Sequence, residues 1–398
     1  MTGGQARDER LDFFRGLAMF IIFIAHLPGN PWNDWSPARF GPSDATEIFV
    51  FCSGFASALA FGGTFRRHGF GIGTLRILHR CWQVYWSHLC LFLTVATLAV
   101  LGSWWRPGTD YVHAIHLQRF FAEPHEGLVH LLTLTYVPNY FDILPMYLVV
   151  LAMVPLVMAL ARVRPALVAV FCGTLWLGQG HFQLDLPAEW WSDRPWFFNP
   201  FGWQLIFFTG FAFGSGWLPA PPRRRDLFWL ALAWVLVMVP LNWQPLWSSA
   251  AWLDRFSLLF VPWKDKTDFG ILRYLHFLAL AYLALWSVNP RPELLRGRLT
   301  APVILVGQQA LPVFLWSMAL AFALGMVLDV VGRSRITVPL ANLGGFASLI
   351  AVAALAGHIK AQPWRRREGR VRHGHPREAE REAAPGAPAL APHLSPGE

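Results

Sequence analysis

The first residues able to do chemistry lie near the amino terminus, in a segment long enough to cross a membrane. Arg15 and His26 are eleven residues apart, and the residues between them are mostly apolar. Eleven residues make about three helical turns, so the two side chains fall on nearly the same face, roughly 16 Å apart. Titratable groups inside a bilayer are costly, so they indicate a functional site. His26 is suited to act as a general base.

Both residues also have ordinary structural interpretations. Arg15 can pair with Asp12 three residues earlier, or can serve as an anchor that extends its charge to the membrane surface. His26 precedes a helix-breaking Pro28-Gly29 and can be a neutral, hydrogen-bonded group near the outer end of the span. The two interpretations stay open on these residues alone.

Two acids open the second apolar segment. Asp44 and Glu47 are three residues apart at its predicted outer end. In one interpretation Ser43 caps the helix, and the two acids lie in its first turn, where the helix dipole favours negative charge. In the other, one of the acids orients or charges His26 across the short loop. Ser53, in the middle of the same segment, is a candidate polar contact for a substrate.

A basic segment precedes the third apolar run. Arg76 and Arg80 are four residues apart, and Tyr85 continues the polar pattern into the span. Arginine forks suit phosphate, so these residues predict a site for a polyanionic cytosolic ligand. The alternative is a topology signal alone, since cytoplasmic segments of membrane proteins are rich in arginine.

Weaker candidates follow later in the chain. Asp142 is either a helix cap or a contact for a substrate hydroxyl. Arg273 and His276 lie in an apolar segment, and the preceding charged loop, which includes Lys264 and Lys266, is expected to be solvated. These positions add polar groups to the predicted outer side.

The composition defines the class of protein. Of 398 residues, 55% are hydrophobic and 14% charged, against roughly 25% charged in an ordinary soluble domain. Apolar runs of membrane length recur, which predicts an all-α bundle of about ten membrane spans. The +9 net charge is concentrated in short segments between these runs, which favours membrane topology over nucleic-acid binding.

The charge pattern also predicts orientation and domains. Arginines follow every second span, which places both termini in the cytoplasm. We expect a cytoplasmic amino terminus at 1–12, a single membrane domain at 13–360 and a disordered cytoplasmic tail at 361–398. Four cysteines without CxxC spacing predict neither a disulfide framework nor a metal site.

Taken together, these motifs resemble the OpgC family, related to the membrane acyltransferase-3 superfamily. The match rests on the segment from Asp12 to His26, the segment from Ser43 to Phe55, the basic segment with Arg76 and Arg80, and Gly307 to Phe314. The spacing of Arg15 and His26 is similar to the superfamily's Arg-x10-His signature. The arginine pair departs from the superfamily, being spaced by four residues instead of three.

The resemblance implies an O-acyltransferase of a bacterial inner membrane. It implies acyl-CoA as co-substrate, succinyl-CoA for this family, and osmoregulated periplasmic glucan as acceptor. CoA is then expected at Arg15, Arg76, Arg80 and Tyr85, with no metal. His26 is the expected base, oriented by Asp44 or Glu47, and Asp142 and Ser53 are expected to contact substrate.

Two other functions remain compatible with the sequence. Intramembrane histidine, acid and arginine are equally expected in a proton-coupled transporter, and the chain can also be a non-catalytic partner of a glycan synthase. The acyl group, the acceptor glycan, the oligomeric state and the choice between direct transfer and an acyl-enzyme are not determined by sequence. Ser53, Tyr85 and Trp86 are candidate donors for an oxyanion.

Overall fold

The computed structural model describes residues 8–362, and these residues are helical, with no β-strand among them. They belong to two compact units, Met1–Ala354 and Leu355–Glu398. In the second unit the described residues, 355–362, comprise the end of the last helix and two residues beyond it. The expected tail at 361–398 lies almost entirely outside the described residues, as do residues 1–7 of the expected amino-terminal segment.

The longer helices carry the architecture. They are α1 Glu9–His26, α2 Ala45–Ser57, α3 Gly63–Trp105, α4 Pro124–Leu132, α5 Ile143–Ala152, α6 Val154–Val163, α7 Pro165–Phe182, α8 Pro200–Ser215, α9 Arg225–Asn242, α10 Ile271–Val288, α11 Thr300–Gln308, α12 Ala310–Val331 and α13 Thr337–Lys360. Shorter helical turns in the connections are Pro31–Trp35, Pro37–Phe40, Ala58–Gly62, Tyr111–Ala114, Gln118–Ala122, Gln244–Trp247, Ala251–Leu258, Pro262–Lys264 and Pro292–Arg296.

Six helical stretches of the described chain are long and apolar enough to cross a membrane. They are Ala45–Trp105, Ile143–Val163, Arg225–Asn242, Ile271–Val288, Ala310–Val331 and Thr337–Lys360. The prediction of an all-helical membrane protein is confirmed. Helices α1, α7 and α8 do not reach this standard: α1 carries four charged residues, α7 has a polar end and α8 is only 16 residues long. The count of ten spans stays a prediction.

The longest stretch contains two arms. A straight helix of 61 residues would measure about 90 Å, three times the hydrocarbon thickness of a bilayer. The chain turns at Gly69, whose φ of 84° lies in the left-handed region that favours glycine. Phe65 and Phe70 then pack with ring centroids 5.6 Å apart, and Arg76 of the second arm donates to the Thr64 hydroxyl of the first. We call residues 45–68 and 70–105 the first and second arm.

Helix α1 packs against α2, α11 and α12, with its closest approach at a pair of glycines. A Cβ on Gly16 would collide with the carbonyl of Val303, and one on Gly307 would collide with the carbonyl of Asp12. Glycine therefore lets the backbones of α1 and α11 touch, as small residues do between membrane helices. This contact sets the separation of α1 and α11 next to Arg15.

Several helices meet at the end of the bundle where α1 terminates. Helices α2, α8 and α10 begin there, and the connection before α10 is bonded to the start of α8 through Asn199 and Trp203. Arg333, just beyond α12, donates to the carbonyl of Pro28 at 3.0 Å. We call this region the His26 end, and it brings together residues far apart in the sequence.

Candidate active site

The two acids at the start of α2 form a reciprocal cap. The Asp44 carboxylate accepts from the Thr46 amide at 2.8 Å, and the Asp44 amide donates to Glu47 Oε2 at 2.7 Å. This capping box satisfies backbone donors that a helix amino terminus leaves free. The predicted cap at Ser43 is wrong by one residue, because the capping side chain is that of Asp44. The capping box leaves carboxylate oxygens on both acids available to other partners.

Those oxygens are occupied by two cations from the region of α10. Arg273 Nε donates to Glu47 Oε1 at 2.7 Å, and its Nη2 lies 3.4 Å from Asp44 Oδ2. Lys266 Nζ lies 2.6 Å from the same Asp44 oxygen. Glu47 is fully buried, so an unpaired charge there would be costly. The two acids and two bases balance in charge, and we call these four residues the ion network.

The ion network determines the ionisation of Asp44, which lies just outside the apolar part of α2. Burial alone would raise the pKa of this carboxyl, but the charges of Lys266 and Arg273 outweigh burial and hold its pKa well below the ordinary value. Asp44 is therefore a carboxylate at any physiological pH. It provides a permanent negative charge against which the Lys266 ammonium is held.

A buried serine and histidine extend the ion network. The side chains of Ser43 and His276 are hydrogen-bonded, with Oγ and Nδ1 2.7 Å apart. The ring of His276 also lies against Gly41, where a Cβ would collide with it. Its Nε2 has no hydrogen-bond partner among residues 8–362. His276 is thus positioned by both its serine and the glycine backbone.

His26 ends α1 and is hydrogen-bonded within its own helix. Its Nδ1 lies 2.8 Å from the carbonyl oxygen of Ile22. A carbonyl only accepts, so Nδ1 carries the proton and the other nitrogen, Nε2, is left with a basic lone pair. The charges of Lys266 and Asp44 act on His26 across the site. No hydrogen bond joins His26 to Asp44 or Glu47 in the described chain, so Ile22 is the group that selects its tautomer.

Tyr140 forms one wall beside His26. The two rings meet edge to face with centroids 5.7 Å apart, and the Tyr140 hydroxyl donates to the carbonyl of Met318 at 2.8 Å. The contact limits rotation of the imidazole and keeps its orientation relative to the ion network.

Arg15 lies in the first half of α1, about three turns from His26, and its partners are mainly backbone carbonyls. Its guanidinium donates to the carbonyls of Cys52 at 3.0 Å and Gly307 at 3.3 Å, and it lies 3.9 Å from Asp12. The predicted pairing with Asp12 is confirmed. These bonds join α1 to α2 and α11, so Arg15 has a structural role whether or not it also contacts a ligand.

The basic segment lies along the second arm. Arg76 donates to Thr64 and stacks over Phe61 at 5.5 Å, and Arg80 donates to Gln83 at 3.0 Å. Tyr85 donates to the carbonyl of Leu132 at 2.7 Å. The Arg76 side chain is exposed and that of Arg80 is partly exposed. These two arginines are not brought into contact with Arg15, which bonds elsewhere.

The two predicted substrate contacts are separate from the ion network. Asp142 is buried at the start of α5, and its Oδ1 has no hydrogen-bond partner within the described range. Burial raises the pKa of this carboxyl well above its ordinary value, although the charge of Arg194 acts in the opposite direction. Ser53 is half-buried, one residue after the carbonyl that Arg15 contacts.

Sequence reasoning undervalued the cations of the ion network. Lys266 was expected to be solvated, which is wrong in part: it is bonded to Asp44 and its side chain is only 31% exposed. Charge balance was the feature of the sequence that could have identified these cations. Asp44 and Glu47 were predicted on the outer side, as was the loop that contains Lys266, and Arg273 follows that loop in the next span. Buried acids require cations.

The fold and this site define a helical membrane protein with a charge-balanced ionic cluster and a tautomer-fixed histidine at one end of its bundle. A family model described as OpgC protein matches residues 7–361, so the chain belongs to the OpgC family. Membership in this family points to the modification of osmoregulated periplasmic glucans. Comparisons with curated proteins and with solved structures gave no significant match.

Proposed function

We propose that this protein is a membrane O-acyltransferase that moves an acyl group, succinyl from succinyl-CoA, to hydroxyls of a periplasmic glucan. The observation that carries the proposal is the 2.8 Å contact between His26 Nδ1 and the carbonyl oxygen of Ile22, from which we infer the tautomer of His26. Its Nδ1 proton is committed to Ile22, so the basic Nε2 is available to a substrate beside a charged cluster. A sugar hydroxyl is a poor nucleophile and needs such a base.

The proposed reaction has two proton steps at His26. The sugar hydroxyl oxygen attacks the thioester carbonyl carbon while its proton passes to His26 Nε2, and a tetrahedral oxyanion forms. The oxyanion then re-forms the carbonyl, the carbon–sulfur bond breaks, and the CoA thiolate takes the proton back from Nε2. The products are the glucan ester and free CoA, with the imidazole restored. Asp44 and Glu47, which the sequence predicted to orient His26, are proposed instead to act by arranging the charges around this step.

The donor is proposed to enter on the side of the second arm. Arg76 and Arg80 carry guanidinium groups with free donors for the CoA phosphates, and Tyr85 follows five residues after Arg80. Arg15 is included as a donor-side residue on sequence grounds. For the acceptor, Asp142 is a candidate because burial favours its protonated form, which can donate to a sugar oxygen, and Ser53 is a further candidate contact.

The proposed topology has ten spans in the bacterial inner membrane with both termini cytoplasmic. The two arms, α1, α5 with α6, α7, α8, α9, α10, α11 with α12, and α13 together supply ten segments. This orientation directs the basic segment to the cytosol, where acyl-CoA is found, and the His26 end to the periplasm, where the glucan is found.

Two measurements test the function. Mass spectrometry of periplasmic glucans should show succinyl substituents in cells with the protein and none in cells without it. Purified protein given succinyl-CoA and the unmodified glucan fraction should release CoA and esterify the glucan. Solute flux across proteoliposomes without CoA release would instead support a transporter. Glucan that changes in amount while its substitution is unaltered would support a partner of a glycan synthase.

A further inference from the structure

Acyl transfer at His26 requires a hydrogen-bond donor for the thioester oxygen. Most candidate side chains already use their N–H or O–H groups in other bonds or lie at another level of the bundle. Tyr140 donates its only hydroxyl proton to Met318, and Arg273 is engaged by both acids with a side chain only 7% exposed. Tyr85 donates to Leu132. Ser53 is nine residues beyond Asp44 on α2, about 13 Å along the helix.

Lys266 is the group that combines charge, access and spare donors. Its ammonium has three N–H groups, and one salt bridge to Asp44 at 2.6 Å is its only polar bond within residues 8–362. Its side chain is the most exposed of the ion network. It also acts electrostatically on His26, the proposed base. From the bond between Arg15 and the Cys52 carbonyl, His26 lies eleven residues along α1, about 16 Å, and Asp44 lies eight residues back along α2, about 12 Å. His26 and the Asp44 that holds Lys266 are therefore at nearly the same level of the bundle, on two helices that pack together.

The backbone around Lys266 is held on both sides. Its carbonyl accepts from the Trp203 indole at 2.9 Å, and the next carbonyl, of Thr267, accepts from the Asn199 amide at 3.0 Å. The Phe198 ring lies 5.7 Å from the ammonium. Donors that stabilise transition-state charge must be held in place before the reaction, because reorganisation during it lowers their benefit. Lys266 meets this condition although it lies in a connection between helices.

We propose that Lys266 donates to the oxyanion of the tetrahedral intermediate, and that Asp44 is a positioning residue that holds its ammonium in place. The proposal rests on the acyltransferase function proposed above and deepens it at the same site. No bond to Lys266 is made or broken. The hydrogen bond from its ammonium to the carbonyl oxygen shortens as the sugar attacks and lengthens again when CoA leaves.

Replacing Lys266 tests the proposal through kcat and KM measured separately. With succinyl-CoA and glucan, Lys266→Met should lower kcat about 10²- to 10³-fold, the loss found on removing one oxyanion donor, and leave KM for succinyl-CoA nearly unchanged. Unchanged kcat would overturn the proposal. A raised KM at unchanged kcat would overturn it too, because Lys266 would then bind a ground-state group such as the free succinyl carboxylate.

Lys264 provides a matched control two residues away. It is a lysine of the same connection, but its ammonium donates to the backbone carbonyl of Leu241 at 2.8 Å. Lys264→Met should keep the kcat of the wild type. Equal losses in the two variants would overturn the proposal, since they would indicate that the connection tolerates no lysine replacement.

Conservative variants separate chemistry from folding. Lys266→Arg retains charge and donors and should recover part of the kcat that Lys266→Met loses. Asp44→Asn leaves the ammonium without its anchor and should give an intermediate kcat with Lys266 still present. If Lys266→Met melts early in detergent, the arginine variant decides: a folded Lys266→Arg protein with no more turnover than Lys266→Met overturns the proposal.

The wild type and His26→Ala distinguish failure of this inference from failure of the function. A wild-type protein that esterifies no glucan rejects the acyltransferase function itself, and the Lys266 proposal with it. A wild type that is active, with His26→Ala inactive and Lys266→Met fully active, rejects the Lys266 proposal alone.

Discussion

The two ends of helix α1 carry the same kind of signal in the sequence and differ in the structure. At one end Arg15 donates to two backbone carbonyls and pairs with Asp12, so its donors join three helices. At the other end His26 uses one nitrogen on its own helix and leaves the second nitrogen basic. A polar group in a membrane protein thus supports the fold when its partners are backbone atoms and is available for chemistry when one of its atoms is not committed.

This contrast assigns different measurable consequences to the two residues. Loss of a group that only does chemistry lowers turnover and leaves the fold intact. Loss of a group bonded to several helices lowers stability first. The following experiments challenge that division.

The largest effect is expected at His26. His26→Gln should lower kcat by about 10²- to 10⁴-fold, the usual contribution of a general base, because glutamine has no nitrogen that accepts a proton at neutral pH. Thermal melting in detergent should stay at the wild-type value. His113→Ala, in an exposed turn far from Ile22 in sequence, is the control and should be unaffected. A large fall in melting temperature for His26→Gln would show that His26 is structural as well.

At the other end of α1, Arg15→Leu should reduce stability more than turnover. Removing one member of a buried ion pair typically costs about 3–5 kcal/mol, and the two carbonyls at Cys52 and Gly307 would also lose a donor. The melting temperature and the yield of folded protein check this. If Arg15→Lys folds normally but shows a raised KM for succinyl-CoA, Arg15 also contacts the CoA, as the sequence predicts.

The glycine contact beside Arg15 gives a test of packing without a change of charge. Gly307→Ala places a methyl group against the carbonyl of Asp12 and should destabilise the fold by about 1–3 kcal/mol, as overpacking does. Gly344→Ala on α13, where a Cβ meets open space, is the matched control. Equal melting temperatures for both variants would contradict the close approach of α1 and α11.

Replacing Arg76 or Arg80 of the basic segment should lower neither turnover nor stability, unlike replacements at the two ends of α1. Arg80→Gln should raise KM for succinyl-CoA about tenfold, the value of one charge-assisted hydrogen bond, with kcat and melting temperature unchanged. The difference from wild type should shrink at high salt, since exposed charges are screened. An unchanged KM at low salt would remove Arg80 from the donor site.

The smallest effect is expected at Tyr140. Tyr140→Phe keeps the ring that packs on His26 and loses one hydrogen bond to Met318, worth about 1 kcal/mol. We therefore expect at most a fivefold fall in kcat. A fall as large as that of His26→Gln would mean that the Tyr140 hydroxyl itself takes part in the reaction.

Local features of the site were predictable from sequence. The pairing of Asp12 with Arg15 depends on three-residue spacing, which helical geometry fixes. The acidic start of α2 was also predicted, although the cap lies at Asp44 and not at Ser43. The role of His26 as a base stays a prediction from its type and position. Such features can be predicted because they depend only on neighbouring residues within one helix.

The partners of those groups were not predictable in the same way. Lys266 and Arg273 are more than 220 residues from Asp44, and nothing in periodicity specifies which later helix packs beside α2. The expectation of a solvated Lys266 failed because a loop residue was judged by its polar neighbours in sequence. Charge balance in the packed bundle decides its surroundings, and that balance depends on long-range contacts.

The first arm connects the ion network with the basic segment around Arg76 in a single helical segment. Asp44 caps one end of it, and Thr64, near the other end, holds Arg76. Insertion or deletion of one residue between them would rotate one end by about 100° against the other and shift it by 1.5 Å. The length of this segment is therefore constrained independently of its composition. The π-helical turn Ala58–Gly62, which already holds an extra residue per turn, is where a one-residue deletion would be tolerated best.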